Sequence, residues 1–130
     1  MGPQAAMIHL DANFLIGVAN RQLPVESALV EWLRQGEGFA ASAVAWAEFL
    51  NGPVKPSHVQ QMHVLIESRV ISLGRLEAEK ASKLFNETGR RRGSLPDCFI
   101  AATAICANAR LATQNQKHFT LFAAAGLRLA

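Results

Sequence analysis

The stretch MIHLDANFL, residues 7–15, decides the fold, because it joins a short apolar run to a helical pattern with one acid between them. The run from Met7 to Leu10 predicts a strand, and Phe14, Leu15 and Val18 then follow at helical spacing. Asp11 stands at the junction, a position where a carboxylate commonly caps a helix. The stretch therefore predicts a strand that leads directly into a helix.

The alternation of strand and helix continues along the whole chain. Further strands are predicted at residues 39–41, 70–73, 111–113 and 127–129, and helices at residues 12–20, 25–35, 43–50, 58–68, 76–88, 97–109 and 116–124. The Ala-rich helix at 97–109 has almost no polar face, so it is predicted to be buried. Because parallel strands need crossover connections, this order predicts an α/β fold with a mainly parallel sheet covered on both faces, in a single domain over residues 1–130.

Composition excludes several classes of protein. Of 130 residues, 50% are hydrophobic and 18% are charged, which excludes a disordered tail and fits a chain with its own core. No run approaches the roughly 20 apolar residues needed to cross a bilayer, and the first ten residues lack a secretory leader, so we expect no membrane association. Cys98 and Cys106 are too far apart on one predicted helix to bond, and we expect both as buried thiols in a reducing cytoplasm. The net charge of +3 permits a nucleic acid partner without requiring one.

Three acids occupy positions where a parallel sheet collects ligands. Asp11 follows the first strand, Glu48 lies two turns into the helix at 43–50, and Asp97 opens the buried helix. Each has an alternative structural role, since Asp11 could cap its helix, Ser94 and Asp97 form an S-x-x-D capping box, and Glu48 could lie on a solvated helix surface. Because ligands bind at the carboxyl ends of such strands, the three could also converge on one site.

A cluster of three carboxylates would require a cation. Two unit charges about 4 Å apart repel by roughly 4 kcal/mol at an effective dielectric of 20, so such groups normally hold a divalent ion. Hard oxygen ligands without His or Cys favour Mg²⁺, for which Mn²⁺ can substitute, over zinc.

Four segments together resemble those of a known family. They are IHLDAN at residues 8–13, SAVAWAEFLNG at 42–52, PDCFIAATA at 96–104 and ATQNQKHF at 112–119. In order, spacing and total length they resemble the PIN-domain ribonucleases, and within that family the small VapC-type toxins of toxin–antitoxin pairs. The resemblance spans essentially the whole chain.

The resemblance implies a fold, an activity and a set of site residues. It implies a three-layer α/β/α sandwich around a parallel sheet of about five strands, and metal-dependent endoribonucleolytic cleavage by a metal-activated water. The acidic positions that match the family's metal site are Asp11, Glu48 and Asp97, and the supporting hydroxyl residues are Ser42 and Thr113.

Two further positions depart from the acidic version of the family pattern. Asn115 occupies a catalytic position where many members carry Asp, and His118, a supporting position, stands where another acid often precedes the phenylalanine. An amide oxygen adds no charge, so we expect one tightly held ion rather than two.

The sequence also suggests partners and one alternative function. The turn GRRRG at 89–93 places Arg90, Arg91 and Arg92 shortly before Asp97, where they could bind RNA phosphates or form only a solubilising loop. The resemblance implies an RNA substrate, a cognate antitoxin, a homodimer, and promoter DNA bound only through the antitoxin complex. Asn115 leaves open a non-catalytic PIN-like module that binds RNA or protein. A haloacid dehalogenase-like phosphatase is disfavoured, because it needs an acid where this chain has Asn13.

Overall fold

The computed structural model describes residues 7–89 and 95–130. Within these ranges the elements alternate as the sequence predicts, with five strands and seven α-helices. They are β1 (Ile8–Leu10), α1 (Ala12–Ala19), α2 (Leu23–Arg34), β2 (Phe39–Ser42), α3 (Ala43–Leu50), α4 (Pro56–Leu65), β3 (Val70–Ile71), α5 (Arg75–Glu87), α6 (Leu95–Cys106), β4 (Arg110–Ala112), α7 (Gln116–Phe119), a 3-10 helix (Thr120–Ala125) and β5 (Arg128–Leu129).

The five strands form one parallel sheet in the order β3-β2-β1-β4-β5. The central strand β1 pairs with β2 through Ile8 and Phe39, and with β4 through Leu10 and Ala112. The prediction of a mainly parallel sheet of about five strands is confirmed. The chain leaves β1 toward β2 on one side, while β4 lies on the other, so the strand order reverses between β1 and β4. Such a switch point opens a crevice at the carboxyl ends of the strands.

Two hydrophobic cores cover the faces of the sheet. One contains residues of β1 and β2 together with α1, α2 and α4, including Leu10, Phe14 and Met62. The other joins α5, α6 and the 3-10 helix, including Leu84 and Ile100. Because successive side chains of a strand point to opposite faces, β4 contributes Leu111 to one core and Ala112 to the other. The α/β/α layering is thereby confirmed, and six of the twelve residues of α6 are buried.

Several element boundaries differ from the prediction. Helix α4 ends at Leu65 rather than at residue 68, because Glu67 and Ser68 have positive φ angles of 50° and 62°. Helix α6 ends at Cys106, before Asn108 with φ 54°. The last predicted helix is one α-helical turn followed by a 3-10 segment. The apolar residues continue at helical spacing through these turns, which is why the sequence predicts longer helices. The backbone there has φ angles outside the right-handed helical region.

The prediction that both cysteines are buried is wrong for one of them. Cys98 is buried within α6, whereas Cys106 at the end of that helix is exposed. The apolar pattern of the helix extends past the point where neighbouring elements cover it. In the part of the chain that the structure describes, no helix has the length and apolar character needed to span a membrane.

Candidate active site

Asp11 lies at the carboxyl end of the central strand, in the crevice between β1 and β4. Its backbone N–H donates to Ala112 O at 2.9 Å, which ties the end of β1 to β4. Its side chain is 6% exposed and caps α1, because Oδ1 accepts from Ala12 N at 2.8 Å. Burial raises the pKa of Asp11, and the hydrogen bonds from Thr113 and Ala12 partly oppose that rise. Asp11 is thus a helix cap that also points a buried carboxylate into the crevice.

Thr113 follows the neighbouring strand β4 and contacts Asp11 directly. Its Oγ1 donates to Asp11 Oδ2 at 2.7 Å and accepts from the backbone N of Asn115 at 3.0 Å. The side chain is buried, so both bonds are shielded from water. The hydroxyl therefore holds the second oxygen of the Asp11 carboxylate in one orientation.

Glu48 and Asp97 come from two other helices and share the electrostatic surroundings of Asp11. Burial raises the pKa of Glu48 on α3, and the charges of Asp11 and Asp97 raise it further. Burial and the charge of Asp11 likewise raise the pKa of Asp97 in the first turn of α6. Since like charges disfavour ionisation of their neighbours, Glu48 and Asp97 both lie within electrostatic range of Asp11.

His118 on α7 lies at the edge of this cluster. Its Nδ1 is 3.8 Å from Asp97 Oδ2, and its side chain is 66% exposed. A positive charge on His118 lowers the pKa of Asp97, against the effect of burial. The residue that replaces an expected acid is thus one that carries the opposite charge when it is protonated.

The donor chemistry of the cluster fits a hard divalent cation. The three carboxylates supply only oxygen ligands. Burial is the main cause of their raised pKa values, and the charges of neighbouring acids add to it for Glu48 and Asp97. Across residues 7–89 and 95–130, however, no three His, Cys, Asp or Glu side chains are close enough to form a ready-made metal cage. Mg²⁺ usually keeps several waters and binds through one or two carboxylates, so it does not need such a cage.

Comparison with known proteins places the chain in a family. The family model described as the PIN domain matches residues 8–124. The chain belongs to the PIN domain family. No curated protein matches the chain significantly.

Several solved structures share the fold of this PIN domain. VapBC2 from Rickettsia felis, bound to a DNA fragment from its promoter, has 22% identity and a TM-score of 0.71, over 95% of this chain and 97% of that one. A toxin–antitoxin complex from Klebsiella pneumoniae has 27% identity and a TM-score of 0.69, over 88% and 90%. VapBC-1 from nontypeable Haemophilus influenzae has 23% identity and a TM-score of 0.68, over 95% and 96%.

Two predicted site residues of the PIN domain flank the starts of helices at the carboxyl end of the sheet. Ser42 ends β2, and its Oγ accepts from Ala45 N at 3.1 Å, so it caps the helix that carries Glu48. Asn115 is the exposed N-terminal flanking residue of α7, and its side chain makes no capping hydrogen bond. Both lie beside the carboxyl end of the sheet, and their roles stay predictions. Arg90, Arg91 and Arg92 lie outside the described residues.

Sequence reasoning missed a pair of amide residues next to the site. Asn13 Oδ1 accepts from the backbone N of Gln114 at 3.0 Å, and Gln114 Nε2 donates to Asn13 O at 2.8 Å. In the sequence, the only indication of their role is their position next to predicted site residues. Asn13 lies two residues after Asp11, and Gln114 directly follows Thr113. Only the pairing of β1 with β4 brings them together.

Proposed function

We propose that this PIN domain is the toxin of a cytoplasmic toxin–antitoxin pair and acts as a metal-dependent endoribonuclease that hydrolyses RNA phosphodiester bonds. The observation that carries the proposal is the buried Asp11 carboxylate at the carboxyl end of β1, which accepts from Thr113 and lies within electrostatic range of Glu48 and Asp97. Membership of the PIN domain family and the likeness to toxin–antitoxin complexes support it.

The metal would be Mg²⁺, or Mn²⁺ in its place, held by Asp11 and Asp97, with Glu48 bound directly or through water. When bound, such an ion lowers the pKa of a water nucleophile and neutralises phosphate oxygens. Asn115 adds no carboxylate to this set, which is why one ion is proposed rather than two.

Three residues of the chain have separate roles in the proposed reaction. Asp11 is buried and hydrogen-bonded at both oxygens, so its carboxylate has a fixed orientation toward the crevice. Glu48 is exposed enough to reach water, and partial burial of its carboxylate together with the charges of Asp11 and Asp97 raises its pKa, which suits a group that accepts a proton from the attacking water. His118 lies beside Asp97, where its protonated form would attract an RNA phosphate.

The proposed partners follow from the family and from the related structures. They are a cognate antitoxin protein, a second copy of this chain in a homodimer, and promoter DNA reached only through the antitoxin complex. The Rickettsia felis complex was solved with a DNA fragment from its promoter, which supports the last of these for the present chain.

Cleavage of a mixed cellular RNA by the purified full chain, with Mg²⁺ titrated from zero, tests the activity. Asp97→Asn should abolish Mg²⁺-dependent cleavage, because it removes a proposed ligand while leaving an uncharged side chain of the same shape. Glu87→Gln is a matched control, since it removes one exposed acid of α5 that forms only a 4.0 Å surface ion pair with Lys83 among the described residues.

Two results would overturn the proposal. Full activity of Asp97→Asn would exclude this residue from the site. RNA binding by the wild-type chain without cleavage at any Mg²⁺ concentration would favour the non-catalytic binding module. Mapping the cleavage sites in total RNA would then define the target.

A further inference from the structure

Asn13 and Gln114 exchange two hydrogen bonds across 101 residues of sequence. The side chain of Asn13 accepts from the backbone of Gln114 at 3.0 Å, and the side chain of Gln114 donates to the backbone of Asn13 at 2.8 Å. Each residue thus uses its amide to bind the main chain of the other. This reciprocal pair attaches the loop between β4 and α7 to the first turn of α1.

The pair lies next to the Thr113 hydroxyl. Thr113 Oγ1 has two acceptors within reach, Asp11 Oδ2 at 2.7 Å and Asn13 Oδ1 at 3.4 Å, but only one proton to donate. The bond to Asp11 is favoured because it is shorter and its acceptor is a carboxylate. The bonds between Asn13 and Gln114 hold the backbone that carries Thr113 in reach of that carboxylate. Asn115 N–H then donates to the same hydroxyl.

A glycine in α1 makes room for this arrangement. A Cβ atom added to Gly17 would lie 2.8 Å from Gln114 Nε2 and 3.1 Å from Gln22 Oε1, which accepts from the same amide, and 3.1 Å from Val25 Cγ2. The two amide groups are ends of flexible side chains that an alanine would displace, whereas Val25 is buried, so the substitution also lowers stability. A side chain at position 17 is therefore incompatible with the observed position of Gln114.

We propose that Asn13 and Gln114 are positioning residues of the active site, which hold residues 113–115 so that the Thr113 hydroxyl orients the Asp11 carboxylate. The inference rests on the proposed function for its catalytic consequence. The hydrogen-bond relay itself belongs to the metal-free chain and is measurable without RNA or metal.

The experiment compares Asn13→Ala with Gly17→Ala and with Thr103→Val in the full chain. Asn13→Ala removes the acceptor of the Gln114 N–H, and Gly17→Ala displaces the Gln114 side chain while leaving Asn13 intact. Thr103→Val is the control, because it deletes a 2.7 Å hydrogen bond to Phe99 O inside α6 and thus lowers stability outside the loop. Amide hydrogen exchange of Gln114 and Asn115 is measured without metal, and kcat and KM are measured with Mg²⁺ and RNA.

In Asn13→Ala we expect the Gln114 and Asn115 amides to exchange about tenfold faster. The Gln114 N–H loses its acceptor, and the Asn115 N–H keeps an acceptor, the Thr113 hydroxyl, that is no longer held in place. We expect kcat to fall about 10- to 100-fold with KM for RNA nearly unchanged, as when a residue that orients a metal ligand is removed. Gly17→Ala should show both effects more weakly. Thr103→Val should lower the melting temperature and leave both readouts at the wild-type value.

The failure of this inference is distinguishable from failure of the proposed function. If wild type cleaves RNA and Asn13→Ala retains its kcat, the positioning role is overturned and the nuclease stands. If wild type does not cleave RNA, the nuclease fails, and the exchange of the Asn115 amide decides the inference alone. Unchanged exchange in Asn13→Ala then overturns it, and faster exchange supports it.

Discussion

Thr113 donates a 2.7 Å hydrogen bond to Asp11 across 102 residues of sequence, and this bond joins the ends of two neighbouring strands at the point where the strand order reverses. The bond stabilises the ionised form of a carboxylate whose burial disfavours charge, so it lowers the pKa of Asp11 against the effect of burial. The properties of the proposed metal ligand therefore depend on a residue from the far end of the chain.

Thr113→Val tests this dependence. Without the hydroxyl the pKa of Asp11 rises further, so the acid limb of the pH profile of kcat/KM should move to higher pH. We expect kcat to fall about 10- to 100-fold at neutral pH. Thr113→Ser retains the hydroxyl donor, so the acid limb of its pH profile should lie at the wild-type pH. An acid limb at the wild-type pH in Thr113→Val would show that this hydroxyl does not control Asp11.

Asp97→Asn should stabilise the metal-free chain. The folded-state pKa of Asp97 lies above its unfolded value, so the ionised side chain opposes folding at neutral pH. Removing the charge should raise the melting temperature by a few degrees. The gain should shrink as the pH falls through the folded-state pKa, because wild type then binds its proton. Thermal melts in a chelator at several pH values measure this, and a lower melting temperature at pH 7 would instead favour a capping role for Asp97.

His9 should make the fold sensitive to mild acid. It is 3% exposed in the central strand, its Nδ1 has no hydrogen-bond partner in the described chain, and burial lowers its pKa to about 4. The unfolded chain binds the proton near pH 6.5, so the free energy of unfolding should decrease from about pH 6.5 to about pH 4, by about 3 kcal/mol.

Urea unfolding of wild type and His9→Leu across this pH range measures that contribution. His9→Leu should flatten the decrease, whereas His63→Gln, a change at an exposed histidine of α4, should leave it unchanged. Equal pH dependence in wild type and His9→Leu would assign the acid sensitivity to the carboxylates instead.

Arg90, Arg91 and Arg92 are expected to set the salt dependence of RNA binding. Each phosphate contact on a single strand contributes about 0.7 to the slope of log K against log salt. Replacing the three arginines with alanine in the Asp97→Asn background, where RNA is bound but not cut, should flatten this slope by up to about 2. Filter binding at several salt concentrations measures it, and an unchanged slope would identify the turn as a solubilising loop.

Local pattern was sufficient for most of the fold. The apolar run before Asp11 and the helical spacing after it are properties of neighbouring residues, and a parallel sheet follows from their repetition. The helix ends were less predictable. Glu67, Ser68 and Asn108 adopt positive φ angles that their residue types permit without requiring, so the apolar spacing alone extended α4 and α6 too far. The exposure of Cys106 has the same origin.

The sequence by itself determined the order of the elements, the parallel sheet, the family resemblance and the identity of the three acids, because each depends on short motifs and their spacing. Only the tertiary structure decided that Asp11 is both a helix cap and a bonded partner of Thr113, that His118 faces Asp97, and that Asn13 pairs with Gln114. The physical reason is that hydrogen bonds and charge interactions act over a few ångströms in space. The residues that make the bonds between Asp11 and Thr113 and between Asn13 and Gln114 are about 100 positions apart in the chain, and they meet only because β1 pairs with β4.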